Sequence, residues 1–87
     1  MRVKVKELGK GLHPSEIVVQ VETMRGPENL VIDRRSLKDG SIEVGAPLNR
    51  DGKDNWLVEL PQETMSGTWR VWVNDKFLVP EPKVRAA

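Results

Sequence analysis

The sequence has no cysteine and no tyrosine, only one phenylalanine and a single histidine. Without cysteine there are no disulfides, no thiolate nucleophile and no cysteine-type zinc site, and a reducing compartment is the natural expectation. With one histidine a His-rich metal site is excluded. That residue, His13, lies in the loop-like run GLHPSE and reads as a solvent-facing side chain. No apolar run approaches the ~20 residues of a membrane span. The N-terminal MRVKVKELG alternates charge with valine and has no apolar h-region of a secretory signal. The expectation is a cytoplasmic, bacterial-type protein with no membrane association.

Charge of one sign is also lacking. Fourteen Lys and Arg face thirteen Asp and Glu, a formal net charge of +1. A dedicated nucleic-acid binder is usually far more basic. With 87 residues the chain has room for one domain and one core.

Catalytic patterns are missing as well. NRDGKDN, residues 49–55, carries Asp51, Asp54 and Asn55 but lacks the ligand spacing of a calcium loop. The GKG of Gly9 to Gly11 is not a phosphate-binding loop, and ETMSG is not a nucleophile elbow. The expectation is therefore a non-enzymatic protein with no catalytic residue, metal or cofactor.

What is present is period-two alternation. Val3 and Val5 share one side of the first run. Ile17, Val19 and Val21 align, as do Leu30 with Ile32, Ile42 with Val44, and Trp56, Val58 and Leu60. In TWRVWV, Trp69, Val71 and Val73 fall on one side, with Arg70 and Trp72 on the other. Such runs of β-branched and aromatic residues, broken by Gly, Pro, Asn and Asp, read as strands. Six of them imply an all-β fold: a small, partly open barrel or a strongly curved antiparallel sheet. One or two short helical turns fit between strands. One is DRRSLKDG, capped by Asp33 and ended by Gly40; the other is PQETMSG, bounded by Pro61 and Gly67. Residues 1–79 form the domain on this reading, and PEPKVRAA, residues 80–87, a disordered tail.

Alternation assigns Trp56 and Trp69 to the core. It leaves Trp72, Leu57, Val18 and Val31 on the opposite side, where polar residues are expected, with Arg70 beside Trp72. Such residues are candidates for a contact surface with a protein partner or a second copy of the chain. The rival reading is a small-barrel binder of single-stranded nucleic acid using Arg2, Lys4, Arg34, Arg35 and Arg70. The run WLVELP, Trp56 to Pro61, loosely resembles a stretch of the small β-barrel proteins of nitrogen-fixation gene clusters; six residues carry no function across.

Overall fold

The computed structural model describes residues 1–52 and 54–79. The expected tail, 80–87, lies outside the described residues. The fold is all-β. Its strands are β1 (Arg2–Lys10), β2 (Glu16–Thr23), β3 (Gly26–Asp33), β4 (Ser41–Glu43), β5 (Asn49–Asp51), β6 (Asn55–Glu59), β7 (Arg70–Asn74) and β8 (Leu78–Val79). The six expected runs are all present. The two additions, β5 and β8, are only three and two residues long, too short to show alternation.

The strands form two antiparallel sheets. One has the order β3-β2-β1-β4, with β8 also paired to β1; the other has the order β5-β6-β7. Both sheets curve, and they do not close into a barrel. β1 serves as the hub. Its first half pairs with β4 through Val3 and Ile42, and with β8 through Val3 and Leu78. Its second half pairs with β2, and a bulge between Glu7 and Gly9 shifts the register. A bulge bends the strand that carries it.

Turn chemistry agrees with the sequence in most places. Lys38 and Ser41 exchange both backbone hydrogen bonds, at 3.0 and 2.9 Å, around Asp39 and Gly40, whose φ angles are 52° and 70°. Two successive positive φ values make a type I′ turn, which Asp-Gly favours. Gly40 thus closes a hairpin instead of ending a helix. Asp33 does cap a 3₁₀ turn over Arg34–Ser36, accepting from the Arg35 N–H at 2.8 Å. PQETMSG holds no helix. The second 3₁₀ turn spans Asp75–Phe77 and is capped by Asn74, whose side chain accepts from the Lys76 N–H.

The core is aliphatic. Val3, Ile17, Val19, Val21, Leu30, Ile32, Ile42, Val44, Val58, Leu60, Val71 and Val73 are buried, and no aromatic residue is among them. Ile17, Val19, Val21, Ile42, Val44, Val58, Leu60, Val71 and Val73 lie on the inner side that alternation assigned to them, and Val3, Leu30 and Ile32 join them. Of the two tryptophans expected there, Trp56 packs against this core and Trp69 stands outside it. Trp69 is 50% exposed. The physical reason is that β7 begins only at Arg70, so strand alternation does not extend to Trp69. Trp56 is half-buried, packed against the core, with the Arg50 guanidinium 4.7 Å from its ring centroid. Its Nε1–H is buried without an acceptor among the described residues.

Candidate functional site

The two sheets meet imperfectly at two seams, and each seam carries a cleft and one tryptophan. The first seam lies between β4 and the end of β6. Val44 N–H donates to the O of Met1, the residue before β1, at 2.8 Å, while Gly45 N–H donates across the seam to Glu59 O at 3.1 Å. In an antiparallel ladder, neighbouring residues point their backbone groups to opposite sides. With Val44 bonded to Met1, Glu43 and Gly45 share the side that faces β6. Beyond Leu60 comes Pro61, which has no N–H with which to continue the pairing. There the chains part and leave an open groove of about 640 Å³.

Ile42, Val44 and Leu60 contribute apolar surface to this groove, and Pro61 and Trp69 line it too. Arg2, Arg35 and Lys38 supply positive charge, and Glu43 and Glu59 negative charge. Several of these groups are held in place. Arg2 Nε donates to Ser41 Oγ at 2.8 Å, and its Nη2 donates to Ser41 O at 2.7 Å and Ser36 O at 3.3 Å. Buried Ser41 in turn donates to Lys38 O at 2.9 Å. The Trp69 Nε1–H donates to Glu63 Oε2 at 2.8 Å, which orients a half-exposed indole. Arg35 is paired with Asp33 at 3.2 Å. The Arg35 side chain, and secondarily its backbone N–H, hold the Asp33 carboxyl below its ordinary value.

The second seam lies between the β2–β3 turn and β7. Met24 N–H donates to Trp72 O, and Met65 N–H donates to Asn29 O, both at 2.8 Å. The cleft there is smaller, about 240 Å³, and Leu57, Arg70 and Trp72 line it together with Arg25 and Glu28. Leu57 and Trp72 are register partners across β6 and β7. The turn before β7 is fastened to its rim, since Ser66 Oγ donates to Glu28 Oε1 at 2.5 Å.

The expected contact residues therefore separate into two groups. Trp72, Leu57 and Arg70 come together. Val18 and Val31 are register partners on β2 and β3, and neither lines that cleft. The expected nucleic-acid set is dispersed further. Arg2 and Arg35 share the first groove, and Arg34 lines a separate pocket. Lys4 lies beside Lys6 and Phe77, and Arg70 is bound to Glu59 at 3.2 Å.

Sequence reasoning missed Trp69, Lys38 and Glu43 as groove residues. A usable clue was the turn-rich SGT immediately before Trp69, which argues against a strand starting that early. Among the described residues no group of His, Asp and Glu side chains is arranged to hold a metal ion, and no helix is long and apolar enough to cross a membrane. Compared with known proteins, the chain matches no family model, no curated protein and no solved structure.

Proposed function

We propose that this protein is a non-enzymatic interaction module whose contact site is the groove at the β4–β6 seam. The observation that carries this reading is Trp69. A half-exposed tryptophan, oriented by Glu63, stands at an open groove with apolar surface and charges of both signs. Tryptophan and arginine are the residues most enriched among interface hot spots. A lining that mixes cations with carboxylates suits a segment of protein chain, which carries both signs, better than a uniformly negative nucleic-acid backbone. The occupant on this reading is a loop or extended segment of another protein or of a second copy.

The test compares immobilised parent, Trp69→Ala and Trp72→Ala for capture of a protein from native lysate, followed by affinity measurement on the captured partner. Sedimentation of the three proteins alone reports self-association. Trp69→Ala should weaken the contact by about 30-fold, the hot-spot scale. Trp72→Ala should leave it nearly intact, and affinity should be salt-tolerant. Capture that survives Trp69→Ala, or an affinity for single-stranded nucleic acid that falls steeply with salt and is lost in Trp69→Ala, overturns the reading.

A further inference from the structure

A second site, independent of the groove, stands at the tip of the β1–β2 hairpin. A pocket of about 380 Å³ is lined by Lys10, Gly11, Leu12, His13, Pro14 and Arg34. Its titratable side chains are two cations and an imidazole, with no carboxylate in the lining. In a chain whose charges nearly cancel, this segregation is unusual. None of the three side chains makes a hydrogen bond or ion pair with a described residue.

Two carboxylates of the adjoining strands are already engaged. Glu16 Oε1 accepts from the His13 backbone N–H at 3.1 Å. Asp33, the register partner of Glu16, holds the Arg35 side chain and caps the 3₁₀ turn. The loop is also held in shape. Gly11 N–H donates to Glu16 O, Glu16 N–H to His13 O, and Arg34 N–H to Ser15 O at 2.7 Å. The last bond fixes the start of the 3₁₀ turn against the hairpin loop, so Arg34 is held at one site with Lys10 and His13. At Gly11 a β-carbon would lie 2.5 Å from the Glu16 β-carbon, so only glycine fits this packing.

From these observations we infer that Lys10, His13 and Arg34 form a binding site for a phosphate group. Arg34 offers the planar donor fork that matches phosphate oxygens, Lys10 a mobile point charge, and His13 a ring N–H. Exposed Leu12 and Pro14 offer apolar contact to the body of the ligand. The phosphate belongs either to a small molecule or to a nucleic-acid backbone; the recognition chemistry is shared.

The experiment is an amide chemical-shift titration of the full chain with pyrophosphate. Saturable shifts should concentrate on the amides of residues 10–13 and 34. Arg34→Gln should weaken binding about tenfold, the value of one charge-assisted contact, and leave all other amide positions in place. Arg25→Gln, at the opposite turn of β2, should not weaken it. A parallel titration with an oligothymidylate of about ten nucleotides separates the two sources. Arg34-dependent binding tighter than that of pyrophosphate assigns the site to nucleic acid, and weaker binding assigns it to a small molecule. Shifts that never saturate, or equal weakening by Arg34→Gln and Arg25→Gln, overturn the site.

Discussion

Trp69 and Trp72, three residues apart, line different clefts: Trp69 the groove between β4 and β6, Trp72 the pocket between the β2–β3 turn and β7. The separation follows from where β7 begins. Trp72 lies within the strand, on the face opposite Val71 and Val73, and its carbonyl is tied to Met24. Trp69 precedes the strand, tied through its own carbonyl to Leu60 N–H at 2.8 Å, with its indole half-exposed at the groove.

The first prediction concerns stability. Emptying a core site should be far costlier than trimming Trp69. Leu30→Ala, at a fully buried position, should cost about 2–5 kcal/mol. That is a large part of the roughly 4–13 kcal/mol available to a chain of this size. Trp69→Ala should cost under about 1 kcal/mol, as exposed substitutions usually do. Urea denaturation of both variants measures this. A Trp69→Ala loss comparable to that of Leu30→Ala would mean that the indole is covered in solution.

The second concerns the Leu57–Trp72 pair. Register partners on one sheet face interact by about 0.2–1 kcal/mol relative to an Ala–Ala pair. A double-mutant cycle on Leu57→Ala and Trp72→Ala should return a coupling of that size. Strict additivity of the two losses would show that the side chains do not touch.

Ser41 supplies the third. Its hydroxyl accepts from Arg2 Nε and donates to Lys38 O, and the residue is buried. Ser41→Ala removes both bonds while Arg2 and the Lys38 carbonyl remain. The Lys38 carbonyl keeps its bond from the Ser41 N–H and Arg2 its two Nη2 bonds, so neither is stranded, and the expected cost is about 0.5–1.5 kcal/mol, the net value of a typical hydrogen bond. Ser41→Cys keeps a weak donor and should lose less. Thermal melts of the two variants should rank in that order.

The fourth is a pH dependence. The Asp33 carboxyl is depressed below its ordinary value of 3.8 by its bonds to Arg35. A depressed acid binds fewer protons folded than unfolded, so its contribution is present above the unfolded value and is lost as pH falls through the folded one. Asp33→Asn should flatten part of the fall in stability on the acid side of pH 3.8 and leave the pH slope near neutrality unchanged. Carbon-detected titration of the carboxyl group should show its midpoint on the acid side of that value. A midpoint above it would rule out the Arg35 pairing in solution.

Much of the fold was legible along the chain because a strand's two faces differ in polarity at every second residue. Val3, Ile17 to Val21, Leu30 with Ile32, and Val71 with Val73 reveal their inner side with no knowledge of their partners. Gly52 likewise declares its turn, since positive φ is a local demand; Gly40 has the expected positive φ, but in a hairpin and not at a helix end. Trp69 shows the limit of this reasoning. Extending alternation one residue past the start of β7 moved it from the half-exposed groove wall into the core, because the end of a strand depends on a neighbour's backbone and not on the side chain itself.

The sequence by itself determined the all-β class, the aliphatic inner face and the near-neutral charge balance, for each is a local or summed property of the residues. Only the tertiary structure decided which charges share a cleft. Arg34 and Arg35 are adjacent, yet one lines the hairpin-tip pocket with Lys10 and His13, and the other the seam groove with Arg2 and Lys38. That division depends on β1 reaching both sites, on the 3₁₀ turn after β3, and on Pro61 ending the pairing at the seam. These are contacts between residues far apart in the chain, and no local pattern encodes them.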